Sequence, residues 1–342
     1  MASDSKRVTL AQIAESAGVS VATVSKVING RPDVSQQKRE EIQDALRRHN
    51  YGGFRDDLRV YPTVELFLGM GQFSVYTAEV LRGVIDAAAL EGVAVVASRR
   101  TEHDPNVDPA SWARDLAAVG RRAVVASTAD PLARPIVDAL RRARLPLVLI
   151  DPESRPDASV ASVGSTNFTG GYDAAEHLLA LGHRRIAYLG GRQNLACVQA
   201  RLHGFRSAMD AAGNPVSDEL IRFGTSFDMA EGIKHGGGLL DTELAPTAVF
   251  AASDTLAVGV IEAARRRGVR VPDDLSVVGF DDTLLAQQMV PPLTAVRQPI
   301  PEMGALALRT ALRLAAGEEI DSHHVELATR LIVRESTQPP RD

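Results

Sequence analysis

Cysteine is almost absent from this chain of 342 residues, where Cys197 stands alone. One thiol excludes an intramolecular disulfide framework and any zinc site built on several cysteines. No run of about 18 apolar residues occurs, so no segment reads as a membrane helix. The opening residues, MASDSKRVTL, lack the apolar core of a secretory signal. These absences lead to the expectation of a cytoplasmic protein with no membrane partner. No GxSxG or HExxH constellation is present. Gly190-Gly191-Arg192 lacks the spacing and the Lys-Ser/Thr of a nucleotide-phosphate loop, and reads as a tight turn after a strand. His323-His324 has no nearby partner at metal-ligand spacing. The expectation is therefore no enzyme, no catalytic residues, no metal and no cofactor.

What is present has the balance of a globular protein, 45% hydrophobic and 24% charged. The length is too great for one ordinary domain and suits two or three. The net charge of −5 is unevenly shared. Residues 1–59 hold ten Lys/Arg against eight Asp/Glu, a net of +2. The remainder holds 28 against 35, a net of −7. A mildly basic end on an acidic body suits a protein whose nucleic-acid contact is confined to that end.

The basic end contains VTLAQIAESAGVSVATVSKVIN, residues 8–29. Leu10, Ile13, Ala14 and Ala17 recur at helical spacing. Thr9 followed by Gln12 is a capping box. Gly18 permits a sharp turn, and Ser20 caps a second helix with Val24, Val27 and Ile28 as its apolar stripe. Two short helices joined by such a turn form a helix-turn-helix, whose second helix presents its N-terminal residues to the major groove. Any small helical hairpin shows the same spacing, so the spacing alone leaves both readings open. A third helix, capped by Ser35, has Ile42, Ala45 and Leu46 as its core face.

The wording of the stretch resembles the start of LacI-type regulators: the Thr9 cap, Gly18-Val19-Ser20, Thr23-Val24-Ser25 and Asn29-Gly30. That resemblance implies a three-helix DNA-binding headpiece over 1–51 with an effector-binding domain behind it. It implies that Val21, Ala22 and Lys26 face base edges, and that Thr9, Ser20, Thr23, Ser25 and Asn29 hold the helix or meet phosphate. Lys26 stands where relatives commonly have arginine, and a lysine lacks the bidentate fork. Residues 52–62 read as a linker that departs from the family. Gly52-Gly53 replaces the usual start of a hinge helix, and Asp56-Asp57 would repel phosphate. Leu58 is the candidate minor-groove wedge.

From residue 64 the texture alternates. Short apolar runs at 64–68, 93–97, 123–126 and 147–150 are followed by a second series at 186–189, 248–251 and 277–280. Helical stretches lie at 78–90, 135–144, 170–181, 201–212, 228–240 and 255–268. A crossing strand at 294–298, a helix at 303–316 and a last strand at 325–333 complete the series. Repeated βα units imply parallel sheets covered on both faces. The expected fold class is α/β: a helical headpiece, then two Rossmann-like lobes of the type I periplasmic-binding-protein kind, which LacI-type regulators carry. The expected lobes are 63–163 plus about 296–324, and 164–295 plus about 325–342. Phrases such as LGHRRIAYLGG, VPDDLSVVGFDD and PPLTAVRQP extend the resemblance over nearly the whole chain.

Ligands of open α/β sheets bind at the carboxyl ends of strands. Asp151, Ser253, Asp254, Asp281 and Asp282 follow strands, Arg201 and Phe227 lie at helix starts, and Gln298 sits on a crossing strand. An aspartate there also caps the next helix in many proteins; that reading is preferred for Asp282 and stays open for Asp254 and Asp281. The resemblance marks Arg201 and Asp281 as effector contacts, Phe227 as a stacking ring, and Asp151, Ser253 and Gln298 as further pocket positions. It adds Tyr76 from the first lobe, and Cys197 where relatives carry a hydroxyl. Carboxylates, an arginine and a ring suit a polyhydroxylated ligand, so a sugar-like effector is expected, with a purine-type ligand as the alternative that the same family positions can serve. The expected function is a transcription repressor bound to palindromic double-stranded operator DNA as a homodimer, with helix 78–90 and segment 249–267 as interface candidates. A tetramer-forming heptad is not expected. The competing reading is a cytoplasmic sugar-binding module or sugar-processing enzyme with a helical N-terminal domain.

Overall fold

The computed structural model describes residues 8–28, 31, 34–49, 51, 62–68, 73–99, 108–127, 134–154 and 156–341. Asn29, Leu58 and nearly all of the linker lie outside the described residues. The chain divides into two compact units, Met1–Tyr61 and Pro62–Asp342.

The first unit holds α1 (Leu10–Ser16), α2 (Val21–Ile28) and α3 (Gln36–Arg48). The capping box forms as its sequence dictates. Gln12 N–H donates to Thr9 Oγ1, and Thr9 N–H donates to Gln12 Oε1 at 2.9 Å. Gly18 takes φ +62° at the turn, a left-handed conformation that glycine adopts without steric cost. Ser20 Oγ then accepts the Thr23 N–H at 3.2 Å and starts α2. Ile13, Ala14, Val24, Val27, Ile42, Ala45 and Leu46 form the small core. Ile28, expected in that core, is instead 40% exposed.

The second unit repeats one design twice. Its first sheet contains β1 (Thr63–Leu68), β2 (Ala94–Arg99), β3 (Arg121–Ser127), β4 (Leu147–Ile150) and β5 (Ala161–Ser165). Its second contains β6 (Ile186–Gly190), β7 (Ile221–Phe223), β8 (Ala248–Ala251), β9 (Ser276–Asp281) and β10 (Thr294–Arg297). Two late strands, β11 (His324–Leu327) and β12 (Arg330–Ile332), close one edge of each. The orders are β11-β5-β4-β3-β1-β2 and β12-β10-β9-β8-β6-β7. Pairing is parallel except between β10 and β12. The central strands are buried almost continuously, as strands covered on both faces must be.

Helices supply that cover. In the first lobe, α4 (Val75–Glu91) covers one face, and α5 (Pro109–Ala118) and α6 (Arg134–Arg142) cover the other. In the second lobe, α7 (Asn167–Ala180) and α8 (Ala196–Ala211) lie on one face. On the opposite face lie α9 (Met229–Leu240) and α10 (Asp254–Arg266). A short α11 (Leu284–Gln288) follows β9. The late helix α12 (Ile300–Ala315) returns to pack against α4 in the first lobe.

The chain therefore crosses between lobes near residues 166, 298 and 328. The stretch 325–333, read as one strand, is two strands in different sheets. Thr329 marks the break: its N–H donates to Thr166 Oγ1 at 2.9 Å and its hydroxyl donates to the Thr166 carbonyl, so two crossings are tied together. Gly164 and Ser165 fall in the first sheet, and Val296 and Arg297 in the second.

Candidate functional site

A cavity of about 420 Å³ opens between the two lobes at the carboxyl ends of their strands. In both sheets the strand order reverses at the first strand of the lobe, so the loops after neighbouring strands diverge and leave a crevice there. Tyr76, Asp151, Cys197, Arg201, Phe227, Ser253 and Asp281 all line it. Gln298 does not. It is 3% exposed and lies behind Asp281, donating from Nε2 to Asp281 Oδ1 at 2.6 Å. Its Oε1 accepts the Ser165 hydroxyl from the first lobe's last central strand.

Two carboxylates of the cavity sit on unusual backbone. Asp151 has φ +45° and Asp281 has φ +109°. Such conformations cost roughly 1–3 kcal/mol for non-glycine residues and gather at ligand sites. Asp151 Oδ2 accepts the Tyr76 hydroxyl at 2.6 Å. Burial raises the Asp151 carboxyl above its ordinary range, while the Tyr76 hydrogen bond and Arg201 pull it down. Burial, then the Asp151 charge, lifts the Tyr76 hydroxyl well above its usual value, so it stays protonated and donates. Burial pushes Asp281 up to about 7, against the pull of Arg201 and Gln298 and with a push from Asp151.

Arg201 is held on every side that matters for aim. Its Nε donates to Asn167 Oδ1 at 2.8 Å, and its Nη1 donates to the Ala252 carbonyl at 2.6 Å. The guanidinium lies 3.7 Å over the Phe280 ring and 3.9 Å from Asp281 Oδ1. Two glycines make this possible. A Cβ on Gly171 would collide with the Arg201 carbonyl, and one on Gly204 with the Phe168 carbonyl. Only their bare backbones let α7 and α8 approach closely enough for Arg201 to reach the first residue of α7.

Phe227 lies against Gly191, where a Cβ would come within 2.9 Å of its ring. Gly191 thus makes room for this ring, and Gly190 for Val198 and the rings of Phe223 and Tyr188. Ser253 caps α10 by accepting the Leu256 N–H at 3.1 Å. Asp254 is not that cap. Its Oδ2 accepts from the Thr283 N–H and hydroxyl, at 2.7 and 2.9 Å. Asp282, read as a helix cap, is instead clamped between Arg297 and Arg334, each at 2.6 Å. Burial raises the Cys197 thiol to about 11, which keeps it neutral and a poor nucleophile.

The sequence reading missed several lining residues, among them Phe73, Arg99, Glu153 and Arg192. Glu153 and Arg192 follow strands by the same rule that found Asp151, and that signal was available. The assembled cleft offers acceptors and a hydroxyl from the first lobe, and a cation, an acceptor and a ring from the second. Those groups suit a small molecule rich in hydroxyls.

In the first unit, Ser20, Val21, Ala22 and Lys26 are exposed, Val21 at 45%, while Thr23 and Ser25 are half-buried. The exposed residues lie opposite Val24 and Val27, which are buried. Thr9 is spent on its cap, and the Thr23 hydroxyl lies 2.8 Å from that of Ser20.

A family model described as bacterial regulatory proteins, lacI family, matches residues 9–52, and one described as a periplasmic binding protein-like domain matches residues 175–337. The chain is 33% identical to the HTH-type transcriptional regulator DegA of Bacillus subtilis, over 97% of this chain and 99% of that protein. Among solved structures it resembles a complex of the transcriptional regulator CelR with cellobiose, with TM-score 0.72, 32% identity, and coverage of 96% and 100% of the two chains. It also resembles the lac repressor dimer bound to operator and the anti-inducer ONPF, with TM-score 0.72, 25% identity, and coverage of 97% and 100%.

Proposed function

This chain belongs to the lacI family of bacterial regulatory proteins, and from that premise we propose that it is a cytoplasmic repressor whose hold on operator DNA is switched by a neutral sugar. Membership makes it a DNA-binding transcriptional regulator and not an enzyme. The observation that carries the effector reading is the cleft itself. Tyr76 and Asp151 of one lobe face Arg201 and Asp281 of the other across a single cavity, with Phe227 at its wall. A ligand that hydrogen-bonds to both sets is bound more tightly when the lobes are close, so it shifts the population toward the closed cleft.

On the DNA side, Val21, Ala22 and Lys26 read base edges, and Ser20, Thr23, Ser25 and Asn29 set the register on phosphate. Thr9 holds the helix in place, and Leu58, outside the described residues, is the candidate minor-groove wedge. Two headpieces are needed for useful specificity, so the protein acts as a symmetric dimer on a palindrome. Helix α4 is the first-lobe part of that interface. Its Ile85 and Leu90 stand 48% and 85% exposed, and an apolar side chain so placed gains from a partner surface.

The test is Asp281→Ala. A hydrogen bond to a charged group contributes about 1.5–3 kcal/mol, so calorimetry with the cognate sugar should show a loss of roughly 10- to 150-fold. Gel shift without ligand should find operator binding intact. Unchanged effector affinity, or an unfolded variant, would move Asp281 from the binding site to the scaffold.

A further inference from the structure

Glu153 stands two residues beyond Asp151, in the loop that leaves β4 of the first lobe. It is only 8% exposed, and it lines the interlobe cavity. Its carbonyl accepts the Ala196 N–H at 2.8 Å, and its Oε1 accepts Asn194 Nδ2 at 2.9 Å. Both donors belong to the second lobe, at the start of the helix that carries Cys197 and Arg201. Glu153 is therefore itself a bridge between lobes. Its other oxygen, Oε2, is buried and has no hydrogen-bond partner among the described residues. Native interiors rarely leave such an acceptor unpaired, and each exception calls for a reason. Here the reason is at hand, because the residue borders the space a ligand enters.

We propose that Glu153 is a specificity-determining residue of the cleft, whose Oε2 accepts a hydrogen bond from a hydroxyl of a neutral sugar and turns away anionic ligands such as sugar phosphates. This rests on the sugar-effector reading and narrows it. The chemistry favours a donor at that point: a carboxylate oxygen with no partner accepts a hydroxyl proton and repels a phosphate oxygen. The wall carries both signs of charge, Arg99 and Arg192 among its cations, so the selectivity rests on where Oε2 lies and not on the net charge of the lining. Asp151 is one more acidic acceptor on the same loop, and the Arg201 guanidinium is engaged by Asn167, Ala252 and Phe280. Because Oε1 of the same side chain holds Asn194, a ligand that satisfies Oε2 also fixes the side chain that joins the lobes.

The experiment is calorimetry on the full-length protein and its Glu153→Gln and Glu153→Ala variants. The probes are D-ribose, D-glucose, cellobiose and glucose 6-phosphate, with hypoxanthine as a purine control. Gel shift on the operator without ligand confirms that each variant is folded. The neutral sugar that binds best should lose roughly 10- to 100-fold with Glu153→Ala. Glu153→Gln should lose less, and should narrow the preference for glucose over glucose 6-phosphate. Neutral sugar binding that Glu153→Ala leaves unchanged overturns the role of Glu153 and spares the sugar reading. Tighter wild-type binding of glucose 6-phosphate than of glucose overturns the selectivity. Hypoxanthine binding that Glu153→Ala weakens, with no sugar bound, overturns the sugar reading and keeps Glu153 as a donor reader. No binding of any probe counts against both.

Discussion

Asp281 shows how much one residue in the cleft carries. Burial lifts its carboxyl to about 7 from an ordinary value of 3.8. A carboxylate raised on folding opposes stability once it ionises. Between about pH 4 and pH 7 the unfolded chain has released this proton and the folded chain still holds it. Stability from this group therefore falls as pH rises through that window, and the cost is fully present above it. Asp281→Asn should thus be more stable than wild type at pH 8, by an amount on the order of 1–4 kcal/mol, and nearly equal to it at pH 4. Urea midpoints across that range check this. Wild type more stable than the variant at pH 8, by a margin that shrinks as pH falls toward 4, would mean that Arg201 already stabilises the ionised form without ligand. Of the residues lining the cleft, strand ends announce Asp151 and Asp281 and a helix start announces Phe227, whereas Arg201, expected to open a helix, lies inside α8, which begins at Ala196, and was marked by the family resemblance. Glu153 carries the same strand-end signal, but its bond to Asn194, 41 residues along the chain, came only from the structure. Asp282 was misread because a cap is a local inference, whereas Arg297 and Arg334 reach it from later strands and loops.

At the scale of elements, legibility followed apolar density. The runs at β1, β3, β4, β6, β8 and β9 are dense in apolar residues and were found. The strand β5 reads ASVGS and β7 is three residues, IRF, so neither carries a period long enough to register. The stretch from β11 to β12 reads as one strand because each half pairs at a sheet edge with partly exposed residues. Only the tie between Thr329 and Thr166 separates them. The helix α2 was the clearest element, as its cap, its turn and its buried stripe agree. Its exposed face makes the DNA prediction specific. Lys26→Ala should cost roughly 1–3 kcal/mol on the operator if the ammonium reads a base edge. Gel shifts at fixed salt on operator and scrambled duplexes should show the loss on the operator alone. Equal losses on both would make Lys26 a phosphate contact.

The whole molecule joins a mildly basic headpiece to an acidic two-lobed body, and the sequence carried that division in its charge and its texture. The expected lobe bounds already implied three crossings, while the edge strands and the sheet order came from the structure, because sheet order is set by pairings distant along the chain. Three crossings tie the lobes at residues near 166, 298 and 328, and Gln298 links Ser165 at one of them to Asp281 in the cleft. On the proposed reading, a ligand held by Asp281 and Arg201 on one side and by Tyr76 and Asp151 on the other meets a hydrogen-bonded chain that joins the lobes. We propose that, in a dimer built on the lobes, closure of the cleft acts on the two headpieces. If sugar changes operator affinity by some factor, operator must change sugar affinity by the same factor, since both routes close one thermodynamic cycle. Typical couplings of about 1–3 kcal/mol correspond to roughly 5- to 150-fold. Calorimetric titration of the bound sugar with and without operator duplex gives one factor, and gel shift with and without sugar gives the other. Equal factors, with light scattering reporting a dimer throughout, are the expected outcome. Unequal factors accompanied by a change in mass would mean that the sugar acts by splitting the dimer, so that assembly, and not the lobe angle, is what the cleft controls.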